Sequence, residues 1–143
     1  MSLNKHEQMR TKVGIKNVAI GANATKTGPV VDRNGYGGVE LVMGYGAVTT
    51  TGTIVTLVVK EGDATGSMTS VADADLIGTE ALASLLAGAR TSGTGQNVTK
   101  RVGYKGSKRY VQVLAVQTGT TSVGCIDGIW ILHSPRVGPQ TNP

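Results

Sequence analysis

Apolar and polar residues alternate through most of the 143-residue chain. A period of two marks strands with one buried face. Val39, Leu41, Met43 and Tyr45 are interleaved with Glu40, Val42 and Gly44, which predicts a strand after the Asn34–Gly35 turn signal. The segment 53–61, TIVTLVVKE, is rich in β-branched residues, with Val55, Leu57 and Val59 expected toward the core and Thr56 and Lys60 outward. Segments 108–116 (KRYVQVLAV) and 124–133 (GCIDGIWILH) predict two more strong strands, the second carrying the chain's one tryptophan. Weaker strands are expected at 16–20, 29–32, 68–72 and 98–102. A helix is expected over 79–87, TEALASLLA, with Ile77, Ala81, Leu82, Leu85 and Leu86 on one face and Gly88 as its stop. Too short to stand alone, it would plug one end of a sheet pair. Many short strands, frequent turns and one short helix predict a β-sandwich or barrel.

Composition narrows the class further. A chain of this length closes one core. With no Phe, one Trp and four Tyr, packing falls to Val, Ile, Leu and Ala, while 21 glycines shape the turns. The single cysteine, Cys125, can form no intrachain disulfide and reads as a small buried apolar residue. No apolar run reaches the roughly 20 residues of a spanning helix. The first 16 residues lack the apolar stretch of a secretory signal. These features argue against a helical membrane protein, a multidomain enzyme and a disulfide scaffold. Residues 1–16 are read as a basic N-terminal arm, 17–133 as the β domain, and 134–143 as an extended tail. Pro135, Pro139 and Pro143 bar that tail from helix and central strand.

The net charge is +5, but only 16% of residues are charged, low for a nucleic-acid binder. Lys5, Arg10, Lys12, Lys16 and Lys26 face only Glu7 within residues 1–31. A second basic group, Lys100, Arg101, Lys105, Lys108 and Arg109, surrounds a glycine-rich turn. Either cluster is solvated surface or a patch that docks on an acidic partner.

Candidate chemistry is sparse. Cys125, Asp127 and His133 share parity on one strand, but about 26 Å of strand at roughly 3.3 Å per residue separates the cysteine from the histidine. Asp63, Asp73 and Asp75 follow no calcium-loop register, and Asp73 or Asp75 is expected to cap a turn before the short helix. No ligand pair has zinc spacing. Gly103-Tyr104-Lys105-Gly106-Ser107-Lys108 lacks the Walker order and precedes a strand, so its glycines are read as turn formers. Tyr104, Lys105, Lys108, Arg109 and Tyr110 mix aromatic and basic groups, but alternation puts Arg109 and Tyr110 on opposite faces. No catalytic, cofactor-binding or metal-binding residue is assigned, no cofactor is expected, and neither membrane nor direct nucleic-acid binding is expected.

Several segments together resemble the small cement or decoration proteins of tailed-phage capsids. The likeness runs through Val31-Asp32-Arg33-Asn34-Gly35-Tyr36 and its strand to Met43, 53–63, Val71-Ala72 and Leu76-Ile77-Gly78. It is closest in 102–113, with the motif GYKGSKRY, and ends at Pro135-Arg136, covering roughly residues 28–137. The resemblance implies a jelly-roll-like β-sandwich with extended terminal arms that binds the outside of an icosahedral shell. The implied partners are the major capsid protein and a second copy of the chain, a homodimer before a homotrimer. It carries no catalytic residues. The capsid-contact residues expected on this reading are Lys5, Arg10, Lys12, Lys16, Lys105, Lys108, Arg109 and Arg136. A tail-tube or connector protein and, in another class, a carbohydrate-binding module are the alternatives.

Overall fold

The computed structural model describes residues 4–19, 23–46, 52–85, 97–119 and 124–136, and the structural statements below concern these. The alternating segments 39–45 and 53–61 form strands with the expected inward faces, and the other expected segments also contain strands. In chain order the strands are β1 (Arg10–Ala19), β2 (Thr25–Thr27), β3 (Val31–Asp32), β4 (Tyr36–Gly46) and β5 (Thr53–Ala64), of which β2 and the first part of β1 are not among the expected ones. After these come β6 (Ser67–Ser70), β7 (Leu76–Ile77), β8 (Val98–Tyr104), β9 (Tyr110–Gly119) and β10 (Cys125–Pro135). One sheet has the order β1-β10-β4-β8-β7; the other has β2-β9-β5-β6, with β3 also on β9. Every pairing is antiparallel, so the chain passes repeatedly between the sheets in a jelly-roll β-sandwich.

The core lies between the sheets. Leu41, Met43 and Tyr45 of β4 and Trp130 and Leu132 of β10 face Val55, Leu57 and Val59 of β5 and Val111, Val113 and Ala115 of β9. With no Phe available, the largest buried side chains are Trp130, Tyr45 and Tyr104. Buried tyrosines need hydrogen-bond partners. The Tyr45 hydroxyl donates to the Ala83 carbonyl at 2.7 Å, and that of Tyr104 donates to the Glu61 carboxylate. Burial pushes both phenols well above the ordinary tyrosine range, and at Tyr104 the Glu61 carboxylate adds to the effect.

The expected 79–87 helix is cut to one turn, α1 (Glu80–Ala83), with Thr79 accepting from the Leu82 N–H. Thr79 is therefore the cap, whereas Asp73 and Asp75 lie in a separate 3₁₀ turn without a side-chain cap. The reason is the edge of β5, since β6 covers only its end from Lys60 onward. The chain turns extended at Ser84, and Leu85 exchanges two 2.8 Å backbone hydrogen bonds with Val55. Ser84 Oγ takes the Leu57 N–H at 2.9 Å, and the Glu80 carboxylate takes that of Val59. Leu82 and Ile77, expected on a buried helical face, are 69% and 59% exposed. Leu86, Ala87 and Gly88 lie outside the described residues.

At the N-terminal end, residues 10–16 are not an arm but the first part of β1, paired with β10 from Arg10↔Leu132. Lys5 to Gln8 form a 3₁₀ turn capped by Asn4. At the other end, Ser134 and Pro135 continue β10, where Pro135 pairs with Tyr36 only. Pairing with β1 has already stopped at Leu132, so the missing proline N–H leaves no ladder bond unmade. Residues 137–143 of the expected tail, including Pro139 and Pro143, lie outside the described residues. Cys125 is exposed, not buried, because Ile126, Gly128, Trp130 and Leu132 take the inward parity of β10.

Candidate functional site

The GYKGSKRY motif is not a hairpin. It carries the chain from β8 in one sheet to β9 in the other, and the Arg33–Gly35 turn crosses from β3 to β4 beside it. Gly35 has a φ of 89°, which suits the Asn34–Gly35 signal, and the Tyr36 N–H closes the turn on the Arg33 carbonyl at 3.0 Å. The two crossings are joined by Arg33, a residue the sequence reading did not single out. It is only 5% exposed, and its guanidinium donates to the carbonyls of Lys108 and Gly106 at 2.6 Å each. The same group lies 5.1 Å from the centre of the Tyr104 ring. Alternation holds the signal: Arg33 has the inward parity of buried Val31.

The second basic cluster is largely answered by nearby acids. Arg109 grips Asp32 through Nε and Nη2, the latter at 2.7 Å, and Lys108 reaches Asp63 at 2.5 Å. The Arg109 contact holds the Asp32 carboxyl below its ordinary range and raises Arg109; the Lys108 contact does the same for Asp63 and Lys108. Arg109 also lies 5.0 Å from the Tyr110 ring centre, so these side chains do meet, against the opposite-face expectation. They do so because Arg109 precedes the first residue of β9 and escapes strict alternation. Lys105 is exposed, with its N–H bonded to the Asp75 carbonyl.

Arg10 and Lys12 of β1 pair with Leu132 and Trp130, the inward positions of β10. They therefore face the mouth of the sandwich at its open edge, and Arg10 Nε is buried without a hydrogen-bond partner among the described residues. Here a cleft of about 570 Å³ is lined by Arg10 and Lys12 on one side and by Pro29, Val31 and Asp32 on the other. A smaller crevice of about 120 Å³, lined by Arg33, Arg109 and Arg136, shares Asn34 and Tyr36 with it. Arg136 is brought there by its N–H bond to the Gly35 carbonyl at 2.8 Å. Lys16 lines a separate cleft with Lys26, past the point where Gly14 and Gly28 meet backbone to backbone. Lys5 is exposed in its 3₁₀ turn and lines none of these clefts.

Of the eight expected contact residues, the fold thus gathers Arg10, Lys12, Arg109 and Arg136 at one end. It leaves Lys5, Lys16, Lys105 and Lys108 outside that group. All five aromatic residues are described: Trp130, Tyr36, Tyr45 and Tyr104 are buried, and Tyr110 is half-buried beside Arg109. Tyr110 is thus the one partly exposed ring, with the Arg109 guanidinium beside it. Among the described residues, no three His, Cys, Asp or Glu side chains gather as a metal site would require.

No protein-family model matches the chain, and no curated protein matches it. The fold is similar to that of the PBSX exported protein XepA, with a TM-score of 0.57 and 15% identity. That likeness covers 93% of this chain but 40% of XepA, so the chain spans well under half the length of that protein. A structure of infectious bursal disease virus, Gx strain, aligns at a TM-score of 0.48 and 11% identity over 92% of this chain and 33% of that one. The Clostridium thermocellum xylanase 10B structure with CBM22-1 and GH10 modules aligns at 0.40 and 12%, over 96% and 28%. The XepA likeness shows a shared β-sandwich fold; at 15% identity it assigns no activity.

Proposed function

We propose that the protein is a structural virion component that binds the outer surface of an icosahedral phage capsid and cements neighbouring capsid subunits. The observation that carries this reading is the meeting of Arg10 and Lys12 with Arg109 and Arg136 around Asn34 and Tyr36. Cations from opposite ends of the sequence line two clefts that share Asn34 and Tyr36 at one end of the sandwich, a charge suited to an acidic protein surface. The resemblance of residues 28–137 to phage cement proteins supports it. Individual exposed ion pairs are weak. Many copies on a repeating shell add their contacts through avidity, which makes modest interfaces sufficient.

Among the described residues lining these two clefts, Arg109 is held by Asp32 and Arg33 by backbone carbonyls, so the cations left to meet a partner are Arg10, Lys12 and Arg136. The double variant Lys12→Glu/Arg136→Glu tests the reading, because both side chains lie at the mouth of the clefts and not in the core. Purified variant and wild type are added to capsids stripped of the protein, and occupancy is measured by sedimentation. The expected result is a loss of affinity of about ten-fold or more, with far-ultraviolet circular dichroism unchanged. Equal occupancy by a folded variant, or rings and tubes formed without any binding to shells, overturns it.

A further inference from the structure

Arg33 is a buried cation for which no side chain among the described residues provides a counter-charge. The ion pairs among the described residues are Glu40–Arg101, Asp63–Lys108 and Asp32–Arg109, and none includes it. Its acceptors are neutral: the carbonyls of Lys108 and Gly106, that of Tyr36 at the long distance of 3.5 Å, and the Tyr104 ring. A guanidinium has five N–H donors, and buried charges are ordinarily paired with an opposite charge. Arg33 also lines the 120 Å³ crevice with Arg109, Arg136, Ser107 and Asn34, and no carboxylate is among the lining residues. Asp32 neutralises Arg109, which leaves Arg33 and Arg136 as two uncompensated positive charges.

We propose that this crevice is an oxyanion site, holding one tetrahedral dianion of the phosphate or sulfate class as the counter-ion of Arg33. The residual charge of the lining matches a dianion better than a carboxylate. Guanidiniums and a serine hydroxyl supplied by three chain segments suit an acceptor with oxygens pointing in several directions. Size agrees: pockets for drug-sized ligands run from roughly 300 to 1,000 Å³, so this one takes an ion and not a sugar or nucleoside. The inference goes beyond capsid binding and does not depend on it, since that reading is tested at Lys12 and Arg136 together on shells and this one on the free protein.

The test is a titration of the full chain with inorganic phosphate, sulfate, acetate and chloride at constant ionic strength, following the arginine Nε–H resonances by nuclear magnetic resonance. The expected result is saturable shifts at Arg33, Arg109 and Arg136 with phosphate and sulfate, at least about ten-fold weaker with acetate. In Arg136→Gln, whose exposed side chain is outside the core, phosphate affinity falls about ten-fold while the Arg33 resonance stays in place without ligand. Shifts that chloride reproduces at the same ionic strength, acetate binding as tight as phosphate, or unchanged phosphate affinity in Arg136→Gln each overturn the proposal.

Discussion

Arg33 donates to carbonyls on both sides of Ser107 and accepts, through its own backbone carbonyl, the Tyr36 N–H. One side chain therefore fixes two crossings between the sheets. Lysine keeps the charge but has no planar fork to reach two carbonyls at once. Arg33→Lys is expected to cost about 3 kcal/mol in chemical denaturation, since bonds to charged groups are worth about 1.5–3 kcal/mol each and the Gly106 and Lys108 carbonyls would be left without it. At Asp32, the Arg109 contact lowers the folded-state value below the ordinary 3.8. Its contribution is therefore present in full above that ordinary value and lost as pH falls through the lower folded one. Because the pair is half-exposed, the effect is small. Thermal melts of wild type and Asp32→Asn should differ at pH 6 and converge at pH 2 to 3; a difference that persists undiminished in acid contradicts this account.

At the scale of elements, the long alternating strands were legible in the sequence, whereas the helix, the short strands β2 and β7 and the first part of β1 were not. Period-two alternation identifies which residues of β4 and β5 face inward because each strand has one dry face, whereas β10 is apolar at both parities around Ile129 and Ile131, which is why sequence alone puts Cys125 on the wrong side. A nine-residue helical pattern is weaker evidence, since tertiary demand overrides propensity in so short a segment. Here the demand comes from the β5 edge, whose N–H groups at Val55, Leu57 and Val59 are answered by Leu85, Ser84 and Glu80. Ser84→Ala should cost about 1–3 kcal/mol by leaving the buried Leu57 N–H unpaired. The close passage of β1 over the β2–β3 connection gives a second prediction. A Cβ on Gly28 would lie 1.8 Å from the Gly14 carbonyl oxygen, so Gly28→Ala should separate the two segments and cost about 3 kcal/mol. A melting temperature equal to wild type would show that the seam is not closed in this way.

On the scale of the whole molecule, the basic residues read along the sequence as two clusters are redistributed by the fold. Composition and spacing say where charge is plentiful, but not which acids lie beside it. Asp32 and Asp63, distant in sequence from Arg109 and Lys108, are brought against them by the β3–β9 and β5–β9 pairings. That neutralisation, and the incorporation of Arg10 and Lys12 into β1, could not be read from local pattern because both depend on which strands become neighbours. What results is a sandwich in which Arg10, Lys12 and Arg136, in no ion pair among the described residues, line clefts at one end beside buried Arg33, which has no carboxylate partner there either. In the proposed function this end faces an acidic capsid surface. Cryo-electron microscopy of the native particle tests it most directly. The expected map shows the sandwich outside the shell, bridging neighbouring capsid subunits, with Arg10, Lys12 and Arg136 against acidic side chains. A map that places the protein in the tail or connector, or on the shell with that end turned to solvent, contradicts it.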